Sequence, residues 1–180
     1  MNDGVAPMLS RAQALRRAFD QSFAQAPRSA PATRHDLLAI RLGRDAYAIR
    51  LPQLAGIFAD KVVTRLPHTD AACLGIAGFR GALVPVYDLR VLLGHPGAAT
   101  PRWLALASFS CVAVAFDALD GYLRVPQEQL APRTHDDAAQ RPHVRELVHG
   151  TAATALRPVI DLVSIVATIE QRTHGDHPLS

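Results

Sequence analysis

The stretch GIAGFRGALVPVYDLR, from Gly75 to Arg90, decides how the chain folds. Two apolar runs, Gly75 to Phe79 and Ala82 to Tyr87, meet at Arg80-Gly81, where glycine supplies the positive φ that a tight hairpin turn requires. The second run continues as Pro-Val-x-Asp-Leu, a strand ending at Asp88, whose carboxylate is placed to cap a short helix that Gly94 can close. Pro85 has no amide proton to give a ladder, so its strand is expected at a sheet edge or bulged at that point. Arg80 stands alone between glycines. A planar guanidinium presented beside exposed backbone is suited to anchoring an interface, and this residue is the first candidate for a partner contact.

The pattern recurs. VPVYDLRVLL at Val84 to Leu93 returns 73 residues later as RPVIDLVSIV at Arg157 to Val166, and IRLPQ at Ile49 to Gln53 returns 74 residues later as LRVPQ at Leu123 to Gln127. Two matches in the same order and nearly the same register imply two similar β units of about 70 residues each. Asp161 and Pro158 then repeat the roles of Asp88 and Pro85.

Outward from this core the period stays at two. Leu38, Ile40 and Leu42 alternate with Leu37, Ala39 and Arg41, and Tyr47, Ile49 and Leu51 with Ala46, Ala48 and Arg50, across a Gly43-Arg44 hairpin turn. Further strands are predicted at Gly56 to Leu66, Arg102 to Ala107, Cys111 to Phe116, Gly121 to Val125, Glu146 to Val148 and Ala155 to Ile160. Many short strands at hairpin spacing indicate barrels or sandwiches. Ahead of them, residues 8–25 set Leu15, Phe19 and Phe23 on one face of a short amphipathic helix, and the prolines of 26–35 mark a linker. Such a helix is marginal alone, so it either docks on the domain or recruits a partner. The predicted organisation is therefore a helix and linker over 1–35, a β domain over 36–171 with units of 36–100 and 101–171 interleaved, and a polar tail over 172–180.

No catalytic constellation emerges. There is no GxSxG elbow, no Walker loop around the single lysine, Lys61, and no HExxH among the eight histidines. His174 and His177 have ligand spacing but lie in the polar tail, and the Asp117/Asp120 and Asp136/Asp137 pairs read as turn residues, so neither metal, cofactor nor acid-base catalysis is expected. Cys73 and Cys111 form no CxxC pair and are expected as small buried hydrophobes in a reducing cytosol. The longest uncharged apolar run, Trp103 to Phe116, is too short for a membrane span. The net charge of +3 rests on 18 arginines scattered singly, which reads as solvated strand faces. A nucleic-acid-binding barrel would expose stacking aromatics among them, whereas Tyr47, Tyr87 and Phe116 occupy core-like positions.

These residues resemble the chemotaxis coupling proteins, the CheW-like domain family. Its pattern of LG-x-x-x-Y-x-I, T-R-x-P and G-V-x-N-L-R-G-x-V-V-P-V-x-D-L is answered by Leu42-Gly43, Tyr47, Ile49, Ile57, Thr64-Arg65-Leu66-Pro67, Gly75, Arg80-Gly81 and Val84-Pro85-Val86-Tyr87-Asp88-Leu89. The match runs over about 36–170. The family's Glu before Ile57 is Gly56 here, its Asn before Leu-Arg-Gly is Gly78, and its Leu is Phe79. The resemblance implies a mainly β fold of two small five-stranded SH3-like barrels with short helices, sharing a hydrophobic middle. It also implies a non-catalytic cytoplasmic adaptor that links the tips of methyl-accepting chemoreceptors to the regulatory domain of a CheA-type histidine kinase, in a flagellar, pilus or other chemosensory array. Carried over by position, Leu54 and Ile57 would help line the receptor groove, and Gly75, Arg80 and Gly81 would fall at receptor and kinase contacts.

Overall fold

The structure is a computed structural model that describes residues 33–67, 70–96, 101–133, 143–149 and 156–175. The helix expected over 8–25 lies outside the described residues. In chain order the elements are β1 (Arg34–Leu42), β2 (Asp45–Arg50), β3 (Leu54–Ala59), β4 (Cys73–Phe79), β5 (Ala82–Asp88), a one-turn α1 (Leu89–Leu92), β6 (Trp103–Ala107) and β7 (Ala113–Phe116). They continue with β8 (Ala118–Pro126), β9 (Leu130–Pro132), β10 (Val144–Val148), β11 (Arg157–Ile160) and α2 (Leu162–Gly175). Single 3-10 turns at Leu51–Gln53 and Gln127–Gln129 join β2 to β3 and β8 to β9.

The strands make two sheets, ordered β8-β1-β2-β11-β10-β9 and β3-β6-β7-β5-β4. Both sequence units feed both sheets: the chain leaves the first sheet after β2, builds the second from β3 to β7, and returns at β8. The repeat is written into the ladders. Each Pro-Val-x-Asp strand pairs antiparallel with the strand before it, β5 with β4 and β11 with β10, and parallel with one distant strand, β7 or β2. Even the irregularities correspond, since the bulge between Cys73 and Gly75 faces Tyr87 and Val86 as that between Val144 and Glu146 faces Ile160 and Val159. Both aspartates then turn the chain into a helix: Asp88 Oδ1 accepts from Arg90 N at 2.9 Å, and Asp161 Oδ1 from Val163 N at 3.2 Å.

Pro85 and Pro158 are not on edge strands. β5 lies between β7 and β4, and β11 between β2 and β10. The parallel ladders begin at Val86 and Val159, one residue after each proline, so the missing amide proton falls where no ladder bond is due. α2 also runs on through Gly175, into the stretch expected as a polar tail, because Leu162, Ile165, Val166 and Ile169 seat one face of it on the core.

The core has three parts. Leu37, Ala48, Val125, Leu130, Val148 and Val159 fill the six-stranded sheet, while Phe79, Val84, Val86, Leu104, Ala113 and Ala115 fill the five-stranded one. A larger cluster between them includes Leu38, Ile40, Tyr47, Ile49, Leu89, Val114, Phe116, Ile160 and Ile165. This explains the Leu-Leu-Ala-Ile run of β1, which has a core on each face: Leu37 points into its own sheet and Leu38 and Ile40 into the shared middle. Each such side chain contributes about 1.5–3 kcal/mol by burial.

The two closed five-stranded barrels implied by resemblance are not what the ladders show. One sheet has a sixth strand, β9, and in neither sheet are the two edge strands paired with each other among the described residues. In each sheet the chain passes directly from one edge strand to the other. The turn Gln127–Gln129 takes it from β8 directly into β9. After β3, Asp60 adopts a φ of 53°, and Thr64 reaches β4 in a single bridge, its N to Ile76 O at 2.8 Å and its O to Ile76 N at 2.9 Å. Phe58 and Phe79 meet edge to face beneath it, with centroids 4.9 Å apart.

That bridge depends on Gly75. Its φ is 132°, and a Cβ there would lie 2.1 Å from the Thr64 carbonyl oxygen and 2.9 Å from Arg65 Cα, both backbone. Gly75→Ala should therefore cost about 2 kcal/mol or more through backbone strain and overpacking, read as a lower midpoint in denaturant unfolding. An unchanged midpoint would contradict the close approach.

Candidate partner interface

The five candidate contact residues fall in three different settings. Arg80 and Gly81 form the two-residue turn between Phe79 and Ala82, with φ of 49° and 88°, the values of a type I′ hairpin. A non-glycine residue held at positive φ is strained by about 1–2 kcal/mol, so Arg80 is a residue its backbone does not favour. Its side chain is exposed and makes no hydrogen bond or ion pair with the described residues. Leu54 and Ile57 stand on β3, at the opposite edge of the sheet from β4, and lean half-buried on the shared middle core. Gly75 is buried beneath Thr64 and Arg65, so its place in the fold is structural.

Sequence reading missed the apolar residues beside the hairpin. Val62 is 84% exposed, Leu83 73% and Leu66 44%. Val62 and Leu66 belong to a run expected as one continuous strand, but β3 stops at Ala59 and the chain turns at Asp60, which leaves them outside a ladder. Lys61 is tied down there: its ammonium donates to the Gly78 carbonyl and sits 4.9 Å from the Phe79 ring centroid.

The arginines are less solvated than the sequence implied, and Asp117 and Asp120 are not local turn formers. Asp117, at the crossing from β7 to β8, accepts from Gly43 N at 2.5 Å and from Arg90 Nη1 at 2.8 Å through the same oxygen. This joins the β1–β2 turn to α1. Gly43, at φ 61°, lies under the Arg90 guanidinium, and a Cβ there would come within 3.3 Å of Nη2. Beside it, Tyr47 Oη and His95 Nε2 are 2.8 Å apart. Asp120, on β8, pairs with Arg41 at 2.7 Å and Arg157 at 3.1 Å, and Arg157 also donates to the carbonyls of Ile40 and Tyr47. A small polar cleft beside α2 is internally neutralised, Arg50 meeting Glu146 at 2.5 Å and Arg145 meeting Asp161 at 2.7 Å.

Several groups titrate away from their ordinary values. The hydrogen bond from Arg41, reinforced by Arg157, holds the Asp120 carboxyl below the usual range. Burial pushes Asp88 up, against the helix amides it accepts from, and pushes His143 down where its Nδ1 meets Ser164 Oγ at 3.0 Å. Cys73 is half-buried and its thiol raised by burial, whereas Cys111 is exposed in the turn before β7, not the buried hydrophobe expected. Tyr47, Tyr87 and Phe116 are buried, as their alternation required, and so unavailable for stacking on bases.

Comparison with known proteins agrees with this architecture. A family model described as the CheW-like domain matches residues 36–170. The chain is 29% identical over 101 residues to the probable chemotaxis protein CheW of Rhizobium etli and 27% identical over 101 residues to the chemotaxis protein CheW of Rhizobium meliloti. Each alignment takes in 54% of this chain and 65% of the relative, so the chain spans just under two thirds of these relatives' length. The crystal structure of the scaffolding protein TtCheW from Thermoanaerobacter tengcongensis has the same fold, with a TM-score of 0.61 at 17% identity, covering 71% of this chain and 89% of that one.

The Asp120 pairs make a prediction about pH. A carboxyl whose folded pKa is depressed stabilises the fold above its unfolded pKa, near 3.9, and loses that contribution as pH falls through the lower folded value. Asp120→Asn should be less stable than the parent at pH 7, by about 1.5 kcal/mol given two charge-assisted partners, with the gap closing below about pH 4. A gap that stays constant from pH 7 to pH 3 would contradict the assignment.

Proposed function

Because the chain belongs to the CheW-like domain family, we propose that it is a non-catalytic adaptor that couples chemoreceptors to a CheA-type histidine kinase in a chemosensory array. The family match spans the whole two-sheet body, and relatives in it are named chemotaxis and scaffolding proteins. The observation that carries the reading is the β4–β5 tip, where a strained arginine, unpaired among the described residues, is held out from the hairpin. Strain of this kind is retained where the side chain is needed outside the fold. The receptor tip would lie along β3 at Leu54 and Ile57, and the kinase regulatory domain or receptor would meet Arg80 and Gly81. Several weak contacts made at once raise each other's effective concentration, so binding alone assembles the array. The adaptor would act in the cytoplasm, at the membrane-bound receptors.

Arg80 is tested with variants matched to its backbone. Arg80→Ala and Arg80→Gly should both keep the melting temperature, the glycine better suiting positive φ, and both should weaken binding to the kinase regulatory domain or receptor tip by about 30-fold, the usual cost of about 2 kcal/mol for an anchor. The proper control is Arg44→Ala, an exposed arginine in the other hairpin turn, because Arg90 is committed to Asp117. Equal, small effects at Arg80 and Arg44 would reject a specific anchor.

A further inference from the structure

The apolar residues beside the Arg80 tip form a notch. The Thr64–Ile76 bridge and the bond from Lys61 Nζ to the Gly78 carbonyl bring the segment that carries Val62 alongside β4, with no further ladder pair, while on the other side of β4 Gly78 is the cross-strand partner of Leu83. The bare glycine thus lies on a strand flanked on one side by the segment of exposed Val62 and on the other by exposed Leu83. A Cβ on Gly78 would meet nothing within 4 Å, so the space over its backbone is open to solvent, and on the flanking segments Val62 and Leu83 stand out by 84% and 73%. The floor is rigid, because the Lys61 ammonium holds the Gly78 carbonyl and packs on Phe79, whose ring fills the sheet beneath.

The charge around the notch has one sign. Lys61 lies at its floor, Arg65 follows the bridging Thr64, and Arg80 is two residues from Gly78 on the same strand line. The acid next to them, Asp60, is committed to Arg102, with Oδ1 to Nε at 3.1 Å. An exposed apolar notch of this sort is hydrophobic enough to bind, and its cationic rim selects what binds.

We propose that this notch receives a single apolar side chain of a partner protein, presented on a surface whose flanking positions carry carboxylates. The proposal rests on the adaptor reading and adds to it the chemistry of one contact: knob into notch, acid onto basic rim. Arg80 then belongs to the rim, and the discriminating element is the missing side chain at residue 78.

The notch can be filled without harm to the fold, which makes it testable. Gly78 lies in a strand at ordinary φ with open space above it, so Gly78→Leu should leave the melting temperature unchanged or raised. The full chain, Gly78→Leu and Arg65→Glu would be titrated with the regulatory domain of a CheA-type kinase and with a receptor cytoplasmic-tip fragment from its own organism, at low and high salt. Gly78→Leu should lose roughly tenfold or more in affinity for one fragment at both salts, as a blocked hot spot does. Arg65→Glu should weaken the same complex mainly at low salt, since salt screens exposed charge. If the parent binds and both variants match it within about twofold, the notch is overturned while the adaptor reading stands, the expected loss being far larger than this. If the parent binds neither fragment, the adaptor reading itself falls. Self-association of the parent that disappears in Gly78→Leu would assign the notch to a second copy and overturn the acidic partner.

Discussion

The two sheets are held in one arrangement by a carboxylate. Asp117 sits where the chain passes from β7 in one sheet to β8 in the other, and its Oδ2 takes hydrogen bonds from the β1–β2 turn and from Arg90 at the head of α1. Its own amide donates to the Arg41 carbonyl on β1 at 3.2 Å. The pair is largely withdrawn from water, with side chains 16% and 19% exposed, and its second oxygen and Arg90 Nε are buried without partners among the described residues. Removing one member would leave the other charged and unsatisfied, which costs more than the pair itself contributes. Around this tie the shared apolar cluster closes, and Asp120 with Arg41 and Arg157 continues the polar seam along β8.

The repeat explains why the seam is needed. Two units with the same strand, bulge, parallel pair and aspartate-capped helix have exchanged strands, so each sheet is built from both halves of the sequence. The five-stranded sheet comes from the unbroken stretch β3 to β7, whereas the six-stranded sheet needs β1 and β2 to meet β8 to β11 from the other end of the domain, so its pairings are distant along the chain. What this body presents to solvent is then a set of hairpin tips and edges on a rigid frame. The adaptor proposed above would have use for that frame: its contacts would keep fixed positions relative to one another, so partners bound to different faces would be placed as well as held.

Much of the fold was legible in sequence because period and punctuation are local. Gly43-Arg44, Arg80-Gly81 and the aspartates after Pro-Val announce turns and caps that need no distant partner, and the double-faced core of β1 shows in Leu37-Leu38. Of the two placements the prolines allowed, the edge fails for a physical reason: a missing donor forbids a ladder bond, and an interior strand satisfies that when the parallel ladder starts one residue later, while a bulge in the partner strand faces the residues just after each proline. Asp117 and Asp120 read as turn residues because their partners, Arg90, Arg41, Gly43 and Arg157, are distant in sequence. The candidate interface was legible only in part. Arg80 stood out by its glycines, but Val62 and Leu83 looked like strand core; the turn at Asp60 takes Val62 out of the ladder, and Leu83 stands exposed at the hairpin end of β5.

The central claim is that the Asp117–Arg90 contact couples the two sheets into one cooperative unit. A double-mutant cycle on Asp117→Ala and Arg90→Ala, by equilibrium unfolding followed through Trp103 in the five-stranded sheet and backbone hydrogen exchange of β1 and β2 in the other, measures this directly. The account predicts coincident loss of both signals and a coupling energy of about 1–3 kcal/mol, each single variant being nearly as unstable as the double. Additive effects within about 0.5 kcal/mol, or a five-stranded sheet that unfolds separately in the parent, would contradict it.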